Sequence, residues 1–281
     1  MYSLSLDNLL TNDPTIEHFR IHHTCIISDE VVKKLLNALR TNTQLKILKL
    51  EYCYQSLNAI NIIINALQND NTIEQLLLIG TKLTNFEVIA LANVLKVNTT
   101  LKIVDISSNH INHVGSIAIA NALKINTTLI KLNMNFNSIC DYIPRYRTNY
   151  NNGAIIEFIN MLKINRSLQT FHIFGCYINN GDVIEIIKTL FYNTSLLDFG
   201  TSFVDDNDVI KEIVNLIKIN HTLKRLNISP RVAWYGFVKQ IQDAIQYNYT
   251  LEFMNNCKVG TFSEENRNIR RRFLTSKSAR R

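Results

Sequence analysis

The chain is poor in the residues that interrupt or cross-link a fold. Its 281 residues include three prolines, eight scattered glycines and five cysteines. No Gly-, Pro- or Ser-rich stretch marks a linker, so composition does not divide the chain. Neither G-x-G-x-x-G nor G-x-x-x-x-G-K occurs, which removes the usual phosphate-cradling loops. H-E-x-x-H and the nucleophile elbow are also missing. His110 and His113 lead into a predicted helix, with no thiol or carboxylate arranged beside them as a triad. The expectation is therefore a protein that is not an enzyme and needs no cofactor. No apolar run approaches the roughly 20 residues that span a bilayer. Met1 to Leu10 carries Asp7 and no basic residue, unlike a secretory signal.

Cysteine usage points the same way. Cys25, Cys140 and Cys257 form no pair with metal or redox spacing. Unpaired thiols and no signal fit a reducing, cytoplasmic setting. His18, His22, His23 and Cys25 cluster near the N-terminus, but adjacent residues of a strand face opposite sides. No metal site is expected there.

One short phrase recurs instead. Asn-Thr-Thr-Leu stands at 98–101 and again at 126–129. Its last apolar position recurs as Ile16, Leu45, Ile73, Leu101, Leu129, Leu168, Leu196, Leu223 and Leu251, in steps of 29, 28, 28, 28, 39, 28, 27 and 28 residues. A period near 28 is the mark of stacked supersecondary units. Each unit opens L-x-x-L-x-L, as in Leu45, Leu48, Leu50 or Leu101, Val104, Ile106, which fits a short strand with one buried face. Three residues later comes Cys53, Thr81, Asn109, Asn137 or Cys176, where the side chain packs under the turn. Helical spacing follows, as in Ile89, Ala90, Ala92, Leu95 and Ile117, Ala120, Ala122, Leu123. Asp13, Asn42, Asp70, Asn98, Asn126, Asn165, Asn193, Asn220 and Asn248 stand three residues before each strand leucine. A helix ends there, and Asn tolerance of the left-handed conformation supplies a reason for the choice. Six of these asparagines begin an N-x-S/T triplet, which is read as turn chemistry rather than as glycan acceptors.

L-x-x-L-x-L-x-x-N/C followed by a helix resembles the ribonuclease-inhibitor-type leucine-rich repeats, the class found in NOD-like receptors, tropomodulin and the Ran GTPase-activating protein. The resemblance covers roughly residues 13–257. It implies an α/β solenoid, with a parallel sheet on a concave face and helices on the convex one. Residues 1–257 are read as about nine such units, and 258–281 as a basic capping helix and tail. Phe199-Gly200-Thr201 and Met254-Asn255-Asn256 depart from the pattern and predict weak strands.

Within each strand the residue between the second and third leucine faces outward. That row reads Arg20, Lys49, Leu77, Asp105, Asn133, His172, Gly200, Asn227. The next reads His22, Glu51, Ile79, Ser107, Asn135, Phe174, Ser202, Ser229. Asp105, Asn133, Phe136, His172 and Phe174 make a mixed polar and aromatic patch of the kind that binds proteins. The long step of 39 holds an insertion at 141–152. Its Tyr142, Arg145, Tyr146, Arg147 and Tyr150 are the residue types of binding hot spots, although loops also lengthen neutrally.

Charge is concentrated at one end. Eight basic residues and two acids from Lys258 onward carry +6 of the net +7. Ser263-Glu-Glu-Asn opens like a capped helix, and Ile269, Phe273 and Leu274 suit packing on the last repeat. Arg267, Arg270, Arg271, Arg272, Lys277, Arg280 and Arg281 offer either a solvated end or an electrostatic contact with nucleic acid or an anionic membrane. The leading expectation is a monomeric, non-enzymatic module that binds a protein partner. Alternatives are a regulator of a small GTPase, as the resemblance implies, or a tether acting through the basic tail.

Overall fold

The computed structural model describes residues 13, 15–22, 26–27, 29–55, 59–140, 151–203, 206–230, 238–246, 248, 250–252 and 254. The chain forms two compact units, Met1–Tyr177 and Ile178–Arg281.

In the first unit strand and helix alternate. The strands of the main sheet are β1 (His18–His22), β3 (Ile47–Glu51), β5 (Gln75–Ile79), β6 (Ile103–Asp105), β7 (Lys131–Asn133) and β8 (Thr170–Ile173). They pair in parallel in that order. Between them lie helices α1 (Asp29–Thr41), α2 (Ala59–Ala66), α3 (Asn85–Val97), α4 (His113–Leu123) and α5 (Gly153–Ile164). Two short strands, β2 (Ile26–Ile27) and β4 (Tyr54–Gln55), make a separate parallel ladder. The second unit contains α6 (Asn180–Leu190), β9 (Asp198–Phe203), α7 (Asn207–Ile219), β10 (Arg225–Pro230) and α8 (Val238–Ile245). Here β9 and β10 pair in parallel from Asp198↔Arg225 to Phe203↔Pro230.

The leucine frame behaves as its spacing predicts. Leu45, Leu48, Leu50, Leu101, Val104, Ile106, Leu129, Leu132 and Met134 are all buried. Each such side chain stabilises the fold by about 2 kcal/mol on leaving water. The helical face is shifted from the expected one. In α3 the buried residues are Val88, Leu91, Ala92, Val94 and Leu95, whereas Ile89 is exposed. Ile117 of α4 is likewise only half-buried, and Ile119 takes the inward position. The Phe199-Gly200-Thr201 stretch, expected to be a weak strand, is the centre of the six-residue β9, with Phe199 fully buried. An aromatic ring there fills the space that leucine fills in other repeats. Asn255 and Asn256 lie outside the described residues.

The helix-ending asparagines are explained differently from the sequence-based reason. Asn98, Asn165 and Asn220 have φ of −71°, −66° and −81° with ψ near +130°, which is extended rather than left-handed backbone. Their side chains do the work. Asn98 Oδ1 accepts the N–H groups of Thr100 at 2.9 Å and Leu101 at 2.8 Å. Its Nδ2 donates back to the Leu67 carbonyl at 2.9 Å and the Asp70 carbonyl at 3.1 Å in the preceding repeat. Asn126 Nδ2 donates to Leu95, and Asn165 Nδ2 to Leu123 and Asn126. In the second unit Asn220 reaches Leu190 and Asn193, and Asn248 reaches Ile217 and Asn220. Each side chain thus satisfies the turn ahead and staples it to the turn behind. The asparagines of all six triplets are buried.

Left-handed backbone occurs elsewhere in the repeat. Tyr52, Gly80, Ser108, Phe136 and Gly175 have φ of 50°, 61°, 58°, 57° and 66°. Each stands one residue before the Cys, Thr or Asn under the strand-exit turn. There Asn109 Nδ2 donates to the carbonyls of Leu78, Ile106 and Ser107, and Asn137 Nδ2 to those of Ile106, Met134 and Asn135. Cys53 and Cys176 use their thiols on equivalent carbonyls, those of Ile21 and Glu51 and of Met134 and Phe174. Burial pushes the Cys176 thiol up to about 12, so it stays protonated and donating. Cys53, Cys140 and Cys176 are all buried.

Candidate functional site

The outward row is assembled by the register of the six parallel strands. Arg20 pairs with Lys49, Lys49 with Leu77, Leu77 with Asp105, Asp105 with Asn133, and Asn133 with His172. Alternation drives this placement: Phe19, Ile21, Leu48, Leu50, Leu76, Leu78, Val104, Leu132 and Phe171 face the core, so their neighbours cannot.

Asp105, Asn133, His172 and Phe174 are brought together on β6, β7 and the end of β8. Asp105 Oδ1 accepts the Ser107 N–H at 3.0 Å and its hydroxyl at 2.6 Å. Asp105 Oδ2 accepts Asn133 Nδ2 at 2.8 Å. Asn133 Oδ1 accepts the Asn135 N–H at 3.1 Å, and Asn135 Oδ1 accepts the Phe174 N–H at 2.6 Å. A continuous polar chain therefore runs across three strands and locks each rotamer. Asp105 is held by neutral donors alone.

Phe136 borders this chain. Its ring is 62% exposed although its backbone is anchored by an N–H to the Phe174 carbonyl. The ring lies over Gly175, where an added Cβ would stand 2.5 Å from Phe136 Cδ1. Tyr52 lies over Gly80 in the same way, also with 2.5 Å to a hypothetical Cβ. The overlying ring is what requires glycine at both places, since Tyr52, Ser108 and Phe136 adopt the same positive φ with a side chain. The signal for this arrangement is an aromatic residue and a glycine at the same repeat position in successive units.

A second cluster occupies the other end of the row. Glu51 is buried and receives Arg20 Nη2 at 2.6 Å and Lys49 Nζ at 3.0 Å, with His22 Nε2 at 3.7 Å. Burial pushes the Glu51 carboxyl up, but the hydrogen bonds and charges of Lys49 and Arg20 prevail and hold it below its usual value. The row thus carries surplus positive charge at β1 and β3, apolar Leu77 and Ile79 at β5, and a carboxylate at β6.

Tyr142, Arg145, Tyr146, Arg147 and Tyr150 lie outside the described residues, as do His23, Cys25, Cys257, Ile269, Phe273, Leu274 and the basic tail from Arg267 to Arg281. Among the described residues no group of three or more His, Cys, Asp or Glu is placed to hold a metal ion. Among them no helix is long and apolar enough to cross a membrane.

No family model matches the chain, and no curated protein matches it. Among solved structures, one similar to this chain is titled "Leiomodin-1 Actin-Binding Site 2 (ABS2)", at 21% identity over 77% of this chain and 87% of that one, with a TM-score of 0.34. A likeness at that level says nothing about what this chain binds.

Proposed function

We propose that the protein is a non-enzymatic binding module of the leucine-rich-repeat solenoid type, which presents the outward face of its parallel sheet to a protein partner. The observation that carries this reading is the rigid patch formed by Asp105, Asn133, Asn135 and Phe174 beside the exposed ring of Phe136. Pre-ordered polar groups next to an exposed aromatic anchor bind with little loss of side-chain entropy. Exposure of a phenylalanine at a strained backbone position has no value to the core, which is filled by other residues. The Tyr/Arg insertion at 141–152 belongs to this reading as a second candidate contact, on its residue types alone.

The test is affinity purification of the full chain from nuclease-treated lysate at moderate salt, wild type beside the triple variant D105A/N133A/F136A. The expected result is one stoichiometric protein retained by the wild type and lost by the variant, with thermal stability kept within a few degrees. Retention of the same protein by the variant overturns the assignment of the surface. Recovery of nucleic acid alone, when nuclease and salt are omitted, moves the function to the basic tail.

A further inference from the structure

Three successive helices of the first unit end on the same kind of tripeptide: Lys96-Val97-Asn98, Lys124-Ile125-Asn126 and Lys163-Ile164-Asn165. The second unit repeats it as Lys218-Ile219-Asn220. The asparagine is the buried staple described above. A β-branched aliphatic residue beside it has every reason to turn inward, yet Val97, Ile125, Ile164 and Ile219 are 55%, 62%, 56% and 55% exposed. Ile130, which follows the strand leucine of the Ile125 repeat, is exposed as well. The staples set the geometry. Asn126 donates to the Leu95 carbonyl and Asn165 to those of Leu123 and Asn126, so the three turns of the first unit stack directly. Val97, Ile125 and Ile164 then form a row along one edge, one aliphatic side chain per repeat.

The row is set in positive charge. Segments 96–102, 124–130 and 163–169 contain Lys96, Lys102, Lys124, Lys163 and Arg166 and no Asp or Glu. Glu74 pairs with Lys102 and Glu157 with Lys124. Arg166 donates to the Lys163 and Asn165 carbonyls. Lys96 and Lys163 have no acid within ion-pair distance among the described residues, as Lys218 has none in the second unit. A lysine in the last turn complements the helix dipole, but that terminus carries only about half a negative charge, and a full positive charge exceeds it. The dipole accounts for the lysines and leaves the exposed aliphatic residues unexplained.

We propose that this edge of the first unit seats on an anionic lipid surface, with Val97, Ile125 and Ile164 entering the headgroup–acyl boundary and the lysines meeting lipid phosphates. Single aliphatic side chains one repeat apart, with cations between them, suit a fluid surface that closes around each. A protein partner would instead need a complementary pocket for every one. Apolar insertion and basic attraction are the two signals that stable peripheral attachment requires. This edge is separate from the sheet face proposed for protein binding, and neither reading depends on the other.

Co-sedimentation of the full chain with phosphatidylcholine vesicles, and with an equal mixture of phosphatidylserine and phosphatidylcholine, tests it. The wild type is expected to bind the mixed vesicles and to ignore pure phosphatidylcholine. V97Q/I125Q/I164Q, which leaves net charge untouched, is expected to bind the mixed vesicles about tenfold more weakly. I125Q alone, at the most exposed position, is expected to weaken binding about threefold and guards against misfolding of the triple variant. K96Q/K163Q is expected to weaken binding most at low salt. Wild-type binding by the triple and single glutamine variants, with loss on removal of residues 264–281, overturns the proposal in favour of the basic tail. No vesicle binding by the wild type, or loss of a protein partner rather than of lipid in the triple variant, overturns it too.

Discussion

At the scale of single residues the repeat rests on side chains that replace backbone partners. The ladder asparagines are the clearest case. Asn126 accepts from Thr128 and Leu129 and donates to Leu95, all while buried. Asn126→Ala strands these backbone groups away from water, and a loss of about 3 kcal/mol is expected in chemical unfolding. Thr127→Ala, at the exposed neighbouring position, is expected to change stability by less than about 0.5 kcal/mol. Equal losses from the two substitutions would contradict the stapling role. Glu51 gives a pH signature. Its carboxyl is held below the usual glutamate value of 4.5, so the folded state binds that proton less readily than the unfolded chain does. The stabilisation is complete above that value and is lost as pH falls through and below it. Melting temperature followed against pH should therefore decline on acidification in the wild type. Glu51→Gln should flatten that part of the curve.

At the scale of elements, strands and helices are fixed by small devices at their ends. The strand-exit turn needs left-handed backbone, and where a ring from the previous repeat lies over it only glycine fits. Gly175→Ala is expected to destabilise by more than about 1 kcal/mol and to displace the Phe136 ring. Gly181→Ala, in the first turn of α6 with its nearest neighbour at 3.4 Å, is expected to be neutral or to stabilise by up to about 1 kcal/mol. Circular dichroism melts of the two variants separate these outcomes. The strand register was legible in the sequence because a period of two inside a period of 28 leaves one way to point each residue. The inward helix face was read one residue off at Ile89, since α3 is apolar nearly all round and its pattern does not choose a side. The role of the asparagines was misread because the residue suits a left-handed backbone and a side-chain bridge equally well, and only the fold decides between them. The Phe136–Gly175 contact joins residues far apart in sequence, and its only trace there is an aromatic residue and a glycine at the same position of successive repeats.

At the scale of the molecule, the two units differ in what their outward faces offer. In the first, Asp105, Asn133 and His172 remain partly open to solvent, and Phe136 stands clear of the core. In the second, Gly200 and Asn227 at the corresponding positions are buried. The binding surface proposed for the protein is accordingly placed on the first unit. The most direct measurement is the dissociation constant of the captured partner for the wild type and for Phe136→Ala, by calorimetry on the purified full chain. Loss of an exposed aromatic anchor is expected to weaken binding at least about tenfold, with melting temperature unchanged. An unchanged dissociation constant would contradict the account.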